Sequence, residues 1–184
     1  MNRRSPIRSK GQSGFTLVEM MIATVVVLVG LVAVAQLVPM SVLMNANNRN
    51  DGTALVFAQR QMEVMRGQPL TATTFSDPLG VFCPPATTCF LGDPTQPNQL
   101  VGSPVVLNGT GTPSIDFSQG QVGGYSFTYT DPNDPYGASY DVRWAVVTNS
   151  TGAAVYSKRF IVGVFRTGMQ TSSLPITLDT LVGK

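Results

Sequence analysis

Residues 14–40 read GFTLVEMMIATVVVLVGLVAVAQLVPM, and this stretch decides how the rest of the chain is organised. From Met20 to Val38, 19 residues are interrupted only by Thr24, Gly30 and Gln36. As a helix rising ~1.5 Å per residue, such a run is long enough to cross a bilayer hydrocarbon core of about 30 Å. Working outward, Arg3, Arg4, Arg8 and Lys10 all precede residue 15, and no acid does. A basic flank followed directly by an apolar run predicts an N-terminus kept in the cytoplasm and a single crossing that exports the remainder. That remainder holds eight basic and ten acidic residues, a net charge of −2, so no nucleic-acid partner is expected.

An ordinary secretory signal fits this pattern poorly. Its apolar region is typically ~7–15 residues and ends at a small-x-small cleavage site, which Leu37-Val38-Pro39-Met40 does not offer. A plain signal anchor explains the span but not Glu19 at its start. A carboxylate entering a bilayer costs free energy, least near the interface, and such groups usually have partners. No basic residue lies between Lys10 and Arg49, so the helix itself supplies none. Either Glu19 sits at the interface against headgroups, or its partner is on another chain.

The order of basic leader, Gly14, Phe15, Glu19 and apolar span resembles the class III signal of type IV prepilins and type II secretion pseudopilins. The resemblance implies cleavage between Gly14 and Phe15 by a prepilin peptidase, which also methylates the new amine on Phe15. It implies that Glu19, the fifth mature residue, recruits the subunit by pairing with the N-terminal amine of a neighbour. It also implies a pilin-like α+β fold, in which a long N-terminal helix packs its second half against an antiparallel β-sheet head.

Pro39 lies inside the apolar stretch. It lacks an N–H, so the carbonyl of Ala35 loses its helical donor and a kink is expected there. Pilins commonly carry a helix-breaking proline in this region. Asn45, Asn47, Asn48, Asn50, Asp51 and Gly52 then form a polar run of weak helix propensity, read as strained helix or a short break. Leu55, Ala58, Met62 and Met65 recur at helical spacing against Arg60, Glu63 and Arg66, predicting an amphipathic helix that Gly67 and Pro69 stop. The expected organisation is a cleaved leader over 1–14, a transmembrane or filament-core helix half over 15–44, an amphipathic half over 45–67, a loop-rich region over 68–123 and an antiparallel sheet over 124–184.

The chain carries 18 glycines and 13 prolines, and only 12% of its residues are charged, about half the usual share. Residues 68–123 are expected to form loops with short strands such as Gln99 to Leu107. Cys83 and Cys89 bracket a five-residue segment, and in an exported head they suggest a disulfide, with two free thiols as the alternative. After Gly124, strands are expected around Tyr125, Phe127 and Tyr129, then around Tyr140, Val142, Trp144 and Val146. A third follows with Tyr156, Phe160, Val162 and Val164 on one face, joined by turns at 131–137 and 149–152. A short edge strand is expected near Pro175 to Leu178. Asp131, Asn133 and Asp134 lack the spacing of a calcium loop and read as a turn.

With no histidine, one glutamate outside the apolar segment and no nucleophile motif or phosphate loop, the chain reads as a structural protein without cofactor or metal, not an enzyme. The helix end from Gln61 to Pro69, and the pairing of Tyr140–Trp144 with Lys158–Val164, resemble minor pilins of the type IV pilus modification class. That likeness implies a minor pilin that enters or primes a type IV pilus, with a minor pseudopilin of a type II secretion system as the alternative. Implied partners are the prepilin peptidase/N-methyltransferase, other pilin or pseudopilin subunits, and an inner-membrane assembly platform. Implied locations are the bacterial inner membrane first, then the filament.

Overall fold

The computed structural model describes residues 14–77, 79–85, 87–130, 132, 137–152, 154–167 and 174–183. Arg3, Arg4, Arg8 and Lys10 of the leader lie outside the described residues, as do Asp131, Asn133 and Asp134 of the expected turn. The architecture is α+β. Among the described residues one helix, α1, runs Leu17–Arg66, and nine strands follow: β1 Thr74–Phe75, β2 Cys89–Phe90, β3 Leu100–Gly102, β4 Val105–Leu107, β5 Pro113–Ile115, β6 Ser126–Thr130, β7 Ser139–Thr151, β8 Ala154–Thr167 and β9 Ile176–Gly183. The chain divides into two compact units, one ending at Asn45 and one beginning at Ala46.

The first unit is the part of α1 from Leu17 to Asn45. It is helical throughout, including Pro39, and its apolar side chains are exposed along their whole length. Thr24, the one hydroxyl in the run from Met20 to Val38, turns back on the helix. Its Oγ1 donates to the carbonyls of Met20 at 3.0 Å and Met21 at 2.9 Å, which satisfies it without an outside partner. The expected strained helix or break over 45–52 is helix here.

The second unit is built on a five-stranded antiparallel sheet in the order β3-β7-β8-β9, with β6 also paired to β7. Val101 pairs with Val146 in β3–β7, and Phe127 with Val142 in β6–β7, so these two short strands share one edge of β7. The α1 side of the sheet carries Tyr140, Val142, Trp144 and Val146 of β7 and Phe160, Val162 and Val164 of β8. Ala54, Ala58, Met62 and Met65 of α1 close the core over them. Phe57 meets Tyr129 at 4.4 Å and Tyr140 at 5.3 Å between ring centroids. Burying each large side chain of this set contributes about 1.5–3 kcal/mol.

Four expectations are corrected. Leu55 is exposed on the flank of the helix, and Ala54 takes the buried position instead. The expected strand from Gln99 to Leu107 is two strands. It breaks at Ser103, whose N–H donates to the Trp144 carbonyl and whose Oγ donates to the Tyr125 carbonyl. The turn expected over 149–152 begins later, because β7 runs through Thr151. Tyr156 is 52% exposed, not in the core row. Asn149 pairs with Ser157 but Ser150 pairs with Val155, so β8 carries one extra residue there, and the bulge reverses the side on which Tyr156 emerges.

The opposite face of the sheet is covered too. The β4–β5 hairpin lays Ile115 against Ala145 and Ile161, with Val105 and Phe117 alongside. Gly163 permits this approach, since a Cβ there would lie 2.6 Å from the Ile115 Cβ. Beside it, Arg143 pairs with Asp141 at 2.7 Å, both nearly buried. Arg143 also donates to the Gln119 carbonyl at 2.6 Å and stands 5.0 Å from the Phe117 ring centre, while Gln121 donates to Asp141 at 2.9 Å. A buried ion pair is tolerable only with its remaining groups satisfied in this way.

Candidate functional site

The residues singled out at the N-terminus occupy one short segment. Gly14, Phe15 and Thr16 precede the helix and Glu19 lies in its first turn. The first turn of any helix leaves N–H groups without helical partners. Here Thr16 caps them: its Oγ1 accepts the Glu19 N–H at 3.2 Å, and its carbonyl accepts the Met20 N–H at 3.2 Å. Thr16-Leu17-Val18-Glu19 is a capping-box sequence, a helix-start signal legible in the chain itself.

The cap fixes where the helix begins, and so fixes Glu19 two residues into it. The carboxylate benefits from the positive end of the helix dipole. Among the described residues no cation forms an ion pair with it. Phe15 is 79% exposed, and around Gly14 a Cβ would meet nothing within 4 Å. The segment is thus open on all sides in the isolated chain. The helix behind it, Leu17–Asn45, is long and apolar enough to cross a membrane, and none of it is buried.

Pro39 lies within this exposed half, well separated from Glu19. Cys83 and Cys89 belong to the other unit, where they form a disulfide with Cα atoms 6.0 Å apart. Both are buried in the main core. The chain leading into this bridge is organised by Asp77, whose carboxylate accepts N–H groups from Leu79 at 3.0 Å, Val81 at 2.7 Å and Phe82 at 2.8 Å. Burial opposes ionisation of Asp77, but these three donors outweigh it and hold its pKa below the usual carboxylate value. Trp144 anchors the next segment, its Nε1 donating to the Phe90 carbonyl at 2.8 Å.

One buried cation went unread in the sequence. Lys158 is 2% exposed on the α1 side of β8, and its Nζ donates to the Ala72 carbonyl just beyond the helix. Burial lowers its pKa from the ordinary lysine value. The alternation carried the signal, since Lys158 falls between Tyr156 and Phe160 in the apolar row, although a lysine in such a row is unusual. Among the described residues, no group of three or more histidine, cysteine, aspartate or glutamate side chains is arranged to hold a metal ion.

Residues 9–35 match the model of the prokaryotic N-terminal methylation motif. Over this segment the chain is similar to type IV pilins and pseudopilins. The match spans Gly14, Phe15, Glu19 and most of the apolar run, the same residues that the helix start brings together. No curated protein and no solved structure matches the chain. The second unit is therefore described by its own geometry: a five-stranded main sheet with α1 on one face and the small β4–β5 hairpin on the other.

Proposed function

We propose that this chain is a minor pilin: a structural subunit cut between Gly14 and Phe15, methylated on Phe15, and incorporated into a type IV pilus or used to prime its assembly. The observation that carries the reading is the methylation motif over residues 9–35, joined to a capped helix that sets Glu19 in its first turn. Cleavage creates a cation at Phe15. In a stack of axially staggered helices, that amine can approach Glu19 of a neighbouring subunit, and pairing in low dielectric offsets two desolvation costs that otherwise stand uncompensated. The apolar half of α1 first resides in the inner membrane and then lines the filament core. The disulfide-closed head suits an exported, oxidising location. The implied partners are a prepilin peptidase with N-methyltransferase activity, other pilin subunits and the assembly platform.

A strain lacking this chain tests the assignment. Loss or shortening of surface pili with intact secretion of folded exoproteins supports a minor pilin. Intact pili with lost exoprotein secretion overturns it in favour of a type II secretion pseudopilin.

A further inference from the structure

The turn of the β4–β5 hairpin contains the chain's one Asn-Gly pair, Asn108-Gly109. All five residues 108–112 are exposed. The backbone of the turn is fixed at both ends: Asn108 N–H donates to the Thr112 carbonyl at 3.0 Å, and Gly111 N–H donates to the Asn108 carbonyl at 2.9 Å. Within it the Asn108 Oδ1 accepts three donors, from Thr110 N–H at 3.1 Å, Thr110 Oγ1 at 2.6 Å and Thr112 N–H at 2.9 Å.

We propose that Asn108 is a site of self-modification, at which the Gly109 backbone nitrogen displaces the side-chain amide and leaves aspartate or isoaspartate. Three features of the turn converge on this reaction. The nucleophile is accessible, because Gly109 has no Cβ and a Cβ built there would meet nothing within 4 Å. Among the described residues nothing accepts from its N–H. The electrophile is activated, because the three donors on Oδ1 stand where negative charge develops when Cγ becomes tetrahedral, as in an oxyanion hole. The leaving group is free, since those donors face the oxygen and turn Nδ2 to solvent.

The step balances without an oxidant or a cofactor. The Gly109 nitrogen forms a bond to Cγ and gives up its proton, the Cγ–Nδ2 bond breaks, and Nδ2 departs as ammonia. Water then opens the cyclic imide at either carbonyl. In total one water is consumed and one ammonia released.

The chain itself shows that the aspartate product fits. Asp93 accepts from Thr95 N–H at 2.8 Å and Oγ1 at 2.6 Å, and Asp116 accepts from Ser118 N–H at 2.9 Å and Oγ at 2.6 Å, the same arrangement with a carboxylate. Asn149, followed by Ser150, offers the contrast: both lie in the paired ladder of β7 and β8, where the following nitrogen has no freedom to attack. Conversion at Asn108 adds one negative charge to an exposed turn of the exported head.

The test is peptide mapping by mass spectrometry of the folded full chain in detergent, held for days at neutral and mildly alkaline pH. Asn108 is expected to lose its amide faster than any other asparagine, and faster at the higher pH. Removing one donor in a buried oxyanion hole costs on the order of 10²–10³ in rate; in this exposed turn Thr110→Val is expected to slow the loss about tenfold, with the circular dichroism unchanged. Two results would overturn the proposal. One is an intact Asn108 in the folded chain when the urea-unfolded chain loses the amide, which means that the turn protects. The other is an unchanged rate in Thr110→Val, which means that the donors take no part.

Discussion

Glu19 and Lys158 are opposite cases among the ionisable residues. Glu19 is exposed in the first turn of α1, held there by the Thr16 cap. Its proposed role as a recruiting group depends on charge, not on packing within its own chain. Glu19→Gln and Glu19→Ala are therefore expected to block incorporation into the filament while leaving proteolytic processing intact, as read by immunoblots of membrane and sheared-filament fractions. Lys158 is buried with a depressed pKa. Between that folded value and the unfolded lysine value of about 10.4, the unfolded chain binds more protons than the folded one. Stability therefore rises with pH across this window, and the burial cost is fully present below it. Lys158→Met is expected to flatten that rise, measured as the urea midpoint against pH. A slope unchanged by the substitution would show that Lys158 is not its source.

At the scale of elements, the disulfide offers the cleanest measurement. Cys83 and Cys89 are six residues apart and buried beside Phe75 and Leu91 in the core. Replacing both with alanine is expected to cost about 2–4 kcal/mol of head stability through lost loop constraint, read by chemical denaturation. Much of the element structure could be read from the chain. The helix followed from an apolar run and then from Ala58, Met62 and Met65 at helical spacing. The long strands followed from the alternation of Tyr140, Val142, Trp144 and Val146.

The misses have local physical causes. Tyr156 keeps the sequence alternation, but a bulge reverses its side, and nothing in the residue types announces the extra position. Asp141, Arg143 and Ala145 lie on the face opposite Tyr140, Val142, Trp144 and Val146, to which the sequence reading assigned no cover. They are buried because the β4–β5 hairpin, separated from them by some 30 residues of chain, folds over that face, where Gly163 leaves room for it. The strands β1, β2, β4 and β5 are two or three residues long. At that length no periodicity exists to be read; tertiary contacts define them.

On the scale of the whole molecule, the two units handle apolar surface in opposite ways. The second buries its apolar side chains between α1, a sheet and a hairpin. The first leaves every one of them exposed from Leu17 to Met44. A span that apolar is stable only in lipid or against other such helices, and the proposed passage from membrane to filament provides both in turn. The proposed cut removes Arg3, Arg4, Arg8 and Lys10 and leaves a chain of net charge −2 with one new amine, four residues from Glu19. The most direct measurement is the N-terminal mass spectrum of this subunit recovered from sheared filaments. The account expects a chain that begins at Phe15 and carries a single N-methyl group. A subunit that retains residues 1–14, or one that begins elsewhere, would contradict it.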